Sequence, residues 1–388
     1  MWQPFTEEHQ QFRKTVRAFA EKELAPHVEE WEHDELFPNW VFKRAGELGI
    51  LGAHFPEEHG GAGLSLTAAS VILEEVNASG CNAGACHAQM YTMGTILRHG
   101  SSEQKARYLP RIASGELRLQ AFGVTEPAAG SDTTAISTTA QRTDGGWLVH
   151  GQKIWTSRAE HSDLMLLLAR TTPADQVSKK TEGLSTFIVD MKQALADETM
   201  TIRPIRTMMN HATTEIFFDG VAVPEDALVG EEGKGFRYIL DGMNAERVLI
   251  AAECIGDGRW FVEKAAAYAS ERVVFGRPIG ANQGVQFPIA QAHAQLEAAD
   301  LVRYKAAWLY EQGLPCGAEA NMAKLLAAEA SWAAANACLD THGGFGFAEE
   351  YDIERKFRET RLYKVAPVSN NLILAYLGQH VLGMPRSY

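Results

Sequence analysis

The chain has 388 residues, with 49 acidic residues against 36 Lys and Arg and a formal charge of −13. That balance disfavours nonspecific attraction to nucleic acid or an anionic membrane, and no run of about 18 apolar residues is present to span a bilayer. Five scattered cysteines (81, 86, 254, 316, 338) lack ligand spacing and predict free thiols in a reducing compartment. The polar opening "MWQPFTEEHQQFRK" lacks the layout of a signal peptide, so the expected location is cytoplasmic. His87, His99, His211 and His342 share no metal-binding spacing, so no metal site is expected.

In chain order, "TEEHQQFRKTVRAFAEKELAPHVEEWE" predicts a helix capped by Thr6 and kinked or broken near Pro26. "FPEEHGGAGLS" reads as a loop, "LTAASVILEEVNAS" as a helix, and "SSEQKARYLPRIASGE" as a short helix capped by Ser102. From about Leu117 to Gly230 the period shortens. "GGWLVHGQKIW", "DLMLLLAR", "STFIVD", "TIRPI" and "TTEIFFDGVAVP" read as strands of an antiparallel sheet or barrel. From Gly233 the pattern is again helical and rich in Ala. "SKKTEG" is expected at a solvated hairpin tip, and "EEYDIERKFRETR" as a charged, exposed helix. Helices, strands and helices in that order argue for an α+β chain of three segments: 1–117 helical, 118–231 β, and 232–388 a helical bundle. No GxGxxG follows a strand, so a Rossmann nucleotide site is unsupported.

Two stretches carry the chemistry. "FGVTEPAAGSDTTA" (122–135) gathers small residues and hydroxyls where helix gives way to strand, letting backbone N–H groups approach a polar ligand. "DTHGGFGFAEEYDIERKFRE" (340–359) sets a glycine-rich turn between two helices. Together they resemble the two signature regions of the acyl-CoA dehydrogenase family: Thr125, Glu126, Gly130, Ser131 and Asp132 match the first, and Gly343, Gly344 and Gly346 with Glu350, Arg355 and Glu359 match the second. "QKIWTS" (152–157) and "ERVVFGRPIGANQGVQ" (271–286) also resemble family segments, so the likeness covers nearly the whole chain.

The resemblance implies FAD as cofactor. Phe122, Val124, Thr125, Gly130 and Ser131 would line the flavin, with Trp155 and Ser157 packing on and hydrogen-bonding its rings. Arg272, Phe275 and Gln283, with Gly343 and Gly344, would bind the pyrophosphate and adenine of FAD held by a neighbouring subunit, which implies a homotetramer. These residue types suit the roles: Arg pairs bidentately with phosphate, Gly permits close backbone approach, and an aromatic face suits a stacked ring.

In this family a carboxylate takes the proton next to a thioester carbonyl while the β-hydrogen leaves as hydride to flavin N5. The common position of that acid falls, without gaps from Arg358, on Pro367 of "RETRLYKVAPVS". "DGMNAERVLIAAE" instead matches the Glu-Arg pair of a subgroup that includes isovaleryl-CoA and long-chain enzymes, and points to Glu246 as the base. Ile239, Met243, Glu246 and Ile250 share a helical stripe, and burial there raises a carboxylate's pKa, as a general base requires. Arg247 would orient the CoA portion or the local network, while Asn244 and Ser131 would contact the thioester. Pro367 has no N–H to hold the thioester oxygen. Either Val368 supplies that donor, or the ribityl hydroxyl and another group do, and Ser369 takes the cofactor-facing hydroxyl role.

The implied reaction converts an acyl-CoA to a trans-2-enoyl-CoA, with an electron-transferring flavoprotein as acceptor. One rival keeps the fold but runs other flavin chemistry, as desulfinase, oxidase or monooxygenase. Another is a flavin-binding scaffold associated with nucleic acid, against which the acidic balance counts. The small residues of "GCNAGACHAQMYTMG" (80–94) leave the acyl group open.

Overall fold

A computed structural model describes residues 6–35 and 38–386. The helices are α1 (Glu7–Phe19), α2 (Val28–His33), α3 (Asn39–Glu47), α4 (Leu66–Ala78), α5 (Gly84–His99), α6 (Ser102–Ala113), α7 (Met191–Ala196), α8 (Gly235–Glu271), α9 (Gln283–Glu311), α10 (Gly317–His342), α11 (Ile353–Leu362) and α12 (Asn370–Tyr376). The strands are β1 (Leu119–Gly123), β2 (Thr139–Thr143), β3 (Gly146–Ser157), β4 (Leu164–Arg170), β5 (Leu184–Asp190), β6 (Met200–Pro204), β7 (Thr213–Pro224), β8 (Val273–Val274) and β9 (Arg277–Pro278). The chain forms two compact units: residues 1–33, 65–83 and 244–388, and residues 34–64 and 84–243. No helix among the described residues is long and apolar enough to cross a membrane.

Local sequence explains the helix ends. Thr6 caps α1 by accepting from the His9 N–H, and beyond Phe19 the chain passes through a π-turn into a 3-10 turn at Ala25–His27, where Pro26 has no N–H to continue the ladder. The cap of α6 is Ser101, not Ser102: its hydroxyl accepts from the Gln104 N–H while the Gln104 side chain accepts from the Ser101 N–H, a reciprocal box one residue earlier than expected.

In the first unit, α9 and α10 pack along small residues. Ala299, Ala306 and Ala307 are buried, as are Ala320, Ala323, Ala327, Ala330 and Ala334, which lets the two backbones approach. A buried ion network adds registry to the bundle. Glu74 of α4 accepts from Arg13 at 2.7 Å and Arg303 at 2.6 Å, and also pairs with Arg259.

Helix α11 corrects the expectation of an exposed charged helix. Arg355, Lys356 and Glu359 are buried, and Lys356 Nζ bonds Asp257, Glu359 at 3.0 Å and the Cys81 carbonyl at 3.0 Å. Arg355 reaches the Gly80 carbonyl at 2.7 Å and Glu359 at 2.6 Å. Asp257 and the Gly80 and Cys81 carbonyls lie far away in sequence, so the local i,i+4 pattern could not distinguish a buried network from a solvated face.

In the second unit the strands run β1-β4-β2-β3-β7-β6, with β5 on β4. Most pairings are antiparallel, as expected, but β1–β4 and β2–β4 are parallel. Strand β4 is buried along its whole length, which accounts for its unbroken apolar run. Met93 and Ile96 of α5 and Leu109 and Ile112 of α6 pack with Leu119, Leu164, Leu166 and Ile188 of the sheet. Trp147, Phe187, Ile216 and Phe218 centre a second cluster.

Candidate functional site

In the second unit, the 122–135 segment is anchored from beneath. Glu126 is buried and accepts from Lys153 Nζ at 2.8 Å, from the Ser137 N–H at 2.6 Å and hydroxyl at 2.8 Å, and from the Thr138 N–H at 2.9 Å. Burial alone would raise its pKa, but the Lys153 ammonium and these hydrogen bonds hold it at about 2. Lys153 is fully buried, which lowers its pKa to about 8 against the pull of Glu126. It also donates to the Val124 carbonyl at 3.0 Å, and the Ile154 N–H reaches the Thr125 carbonyl at 2.9 Å. The result is a fixed loop carrying Val124 and Thr125, with Gly130 and Ser131 exposed beyond it and Phe122 half-buried before it. Lys153 was not legible as a site organiser, since the family likeness of "QKIWTS" pointed to Trp155 and Ser157 and its own pattern marks a strand.

Beside that loop, β3 is irregular between Ile154 and Thr156. Trp155 there takes a left-handed φ of 61° and is 57 % exposed. Such a conformation costs about 1 kcal/mol or more for a non-glycine residue, and it turns a large aromatic face outward. Ser157 accepts from the Asn210 side chain at 2.7 Å, leaving its own O–H available to donate.

In the first unit, Glu246 lies on α8 and is 6 % exposed. Arg247 donates from Nη1 to Asn244 at 3.0 Å, and its charge faces Glu246, Tyr376 and Cys316. Burial lowers its pKa from the ordinary value, and its Nε is buried with no acceptor among the described residues. A buried donor left open beside a buried carboxylate suits contact with a polar ligand.

A pocket of about 550 Å³ in the same unit is lined by Tyr268, Arg272, Val274, Ile279, Thr341, His342, Gly343, Gly344 and Phe345. Gly343 has φ +57°, and a Cβ at either glycine would meet nothing within 4 Å, so the wall stays open there. Phe275 and Gly276 turn β8 into β9 with positive φ at both positions, the geometry of a two-residue hairpin, and Phe275 is fully exposed at its tip. Gln283 is exposed at the start of α9. The structure thus gathers Arg272, Gly343 and Gly344 in one pocket and Asn244, Glu246 and Arg247 in one cluster. An arginine beside open glycines and outward-facing aromatics fits a large, flat, phosphate-bearing cofactor.

Pro367 follows a cis peptide bond from Ala366, and Ser369 caps α12 by accepting from the Leu372 N–H at 3.3 Å. Its hydroxyl hydrogen is thereby left for another acceptor. Among the described residues no three His, Cys, Asp or Glu side chains are grouped as metal ligands.

Helical, sheet-bearing and helical segments in that order, with the exposed Trp155 ring and the pocket of Arg272, Gly343 and Gly344, fit a flavoprotein oxidoreductase. Family models describe the same order: the acyl-CoA dehydrogenase N-terminal domain matches residues 6–116, the middle domain residues 121–221 and the C-terminal domain residues 233–381. The chain is 36 % identical to an acyl-CoA dehydrogenase of Bacillus subtilis, over 97 % of this chain and 99 % of that protein. It is 35 % identical to a 3-(aryl)acrylate reductase of Clostridium sporogenes, over 93 % and 95 %. Among solved structures, butyryl-CoA dehydrogenase from Megasphaera elsdenii superposes with a TM-score of 0.91 at 29 % identity, covering 98 % of this chain and 100 % of that one. The chain belongs to the acyl-CoA dehydrogenase family. FAD is the cofactor of that family, and the residues present fit it.

Proposed function

We propose that this enzyme removes the α-proton of an acyl-CoA thioester with Glu246 and yields a trans-2-enoyl-CoA. The observation that carries this reading is a buried carboxylate on α8, beside Arg247, in a chain whose usual acid position holds Pro367. On this reading the chain belongs to the subgroup with the Glu-Arg pair. FAD, when bound, supplies the acceptor for the β-hydrogen. The remaining work belongs to the protein. Glu246, drawn out of water, takes the proton; Arg247, with its open Nε, and Asn244 hold the CoA thioester; Ser131 contacts the same ligand.

For the cofactor, Phe122, Val124, Thr125, Gly130, Ser131, Trp155, Ser157 and Ser369 face the flavin. Arg272, Phe275, Gln283, Gly343 and Gly344 receive the pyrophosphate and adenine from a neighbouring subunit, so the working form is a homotetramer. Fully exposed Phe275 and the open glycine pocket support that sharing. The electron acceptor is an electron-transferring flavoprotein, and the chain divides at about residues 117 and 231. The relative named 3-(aryl)acrylate reductase favours a second reading, in which the same groups serve reduction of an α,β-unsaturated carboxyl compound.

A panel of acyl-CoAs and 2-enoyl-CoAs tests both. Anaerobic bleaching of the flavin by a saturated acyl-CoA, without peroxide production in air, is the expected result. If no acyl-CoA of any length or branching reduced the flavin, the dehydrogenase reading would fail.

A further inference from the structure

Lys324 lies on α10 and is wholly buried, yet its ammonium does not meet a carboxylate. Its Nζ donates to the Val368 carbonyl at 2.8 Å and to the Asn370 side-chain oxygen at 3.0 Å. Asn370 in turn donates to Glu329 at 2.7 Å, and Glu329 takes Lys364 at 2.7 Å. The chain Lys324, Asn370, Glu329, Lys364 therefore clasps both ends of the segment 364–370, the stretch that replaces the usual acid.

In a trans peptide the C=O and N–H point in opposite directions. With the Val368 carbonyl drawn onto buried Lys324, the Ser369 N–H of the same peptide is turned away from the bundle interior. Among the described residues, neither the Val368 nor the Ser369 N–H has an acceptor. A cation on a peptide oxygen also polarises the N–H across the peptide and strengthens it as a donor.

We propose that Lys324 is a positioning residue: it turns and polarises the Val368–Ser369 peptide so that the Ser369 N–H supplies the thioester-oxygen donor missing at Pro367. This rests on the reading of 365–369 as the wall beside the thioester. Burial lowers the Lys324 pKa to about 8; Cys254 and Glu329 oppose that shift and Arg247 adds to it. A neutral amine keeps two N–H groups for its two acceptors, so the clasp holds in either protonation state.

The test uses the FAD-loaded enzyme and 3-thiabutanoyl-CoA or 3-thiaoctanoyl-CoA, whichever gives the long-wavelength absorption of the bound enolate with the unaltered protein. These thioesters lose an α-proton to the base but cannot pass on a hydride, so the pH at which the band appears reads enolate stabilisation apart from turnover. Lys324→Met is expected to leave FAD bound and to raise that apparent pKa by about one unit, or about tenfold less enolate at fixed pH. Ser369→Pro, compatible with the Ser369 φ of −63°, deletes the N–H and should raise it further than Ser369→Ala, which deletes only the hydroxyl. The exposed Glu329→Gln, which loosens the clasp without touching the bundle interior, should shift it in the same direction by less.

An unchanged apparent pKa in Lys324→Met and Glu329→Gln, or equal values for Ser369→Pro and Ser369→Ala, would overturn the proposal. Glu246→Gln separates the two layers of the argument. It should abolish the band altogether, and a band that survives it, or is absent from the unaltered enzyme, refutes the assignment of the base and the present inference with it.

Discussion

Glu126 and Lys153 offer a quantitative check on how the loop at 124–126 is held. Glu126→Gln replaces one carboxylate oxygen with an NH2 that faces donors, losing up to two charge-assisted hydrogen bonds at about 1.5–3 kcal/mol each, and leaves the Lys153 ammonium buried without its counter-charge. Breaking one side of such a pair costs about 3–5 kcal/mol. Lys153→Met strands the Val124 carbonyl but leaves Glu126 its Ser137 and Thr138 donors, so its cost falls near the lower end, about 3 kcal/mol. The double variant carries no uncompensated charge, and its cost should fall short of the summed single costs by at least about 1.5 kcal/mol.

Because the chain has two compact units, the assay should be local: hydrogen exchange of peptides spanning 124–138 and 153–157 reads opening of this unit directly. The sign of the pH dependence follows from Glu126. Its folded pKa of about 2 lies below the usual value of about 4.3, so its stabilisation is fully present above the usual value and is lost as pH falls toward 2. Glu126→Gln should flatten the protection profile in that window. Strictly additive single effects, or an unaltered acid profile in Glu126→Gln, would refute this account of the loop.

Lys356→Met leaves Asp257 and Glu359 facing each other without their shared cation, and should destabilise the first unit by about 3–5 kcal/mol in urea unfolding, far more than an exposed helix position would. Arg272→Ala should weaken FAD binding about tenfold or more in fluorescence titration, since the proposed pyrophosphate site beside Gly343 and Gly344 loses its guanidinium; unchanged affinity would remove Arg272 from the proposed cofactor site.

The changes of period near residues 117 and 230 revealed the order of segments, because five strands carry strongly β-branched or apolar runs. Strands β1 ("LQAFG") and β2 ("TAQRT") escaped notice: each is short, and β2 is polar and largely exposed, so their pairing is decided by neighbours and not by their own pattern. Trp155, Phe275, Gly343 and Gly344 were legible only through motif likeness, but the backbone supplies a local reason for the first two, left-handed residues that turn aromatics outward. Lys324 within "MAKLLAAEAS" looked like any lysine on an Ala-rich helix. Its carbonyl partner stands 44 positions away, a contact that only tertiary folding creates. Helix α11 misled for the same reason, with Asp257 and the Gly80 and Cys81 carbonyls as its unseen partners.

The assignment of Glu246 as the base is tested most directly by rapid anaerobic mixing of Glu246→Gln, carrying its full complement of FAD, with the best acyl-CoA of the panel. Loss of general-base catalysis should slow flavin bleaching by at least about a hundredfold while acyl-CoA still binds. Bleaching at a rate close to that of the unaltered enzyme would contradict the assignment and return the search for the base to other carboxylates.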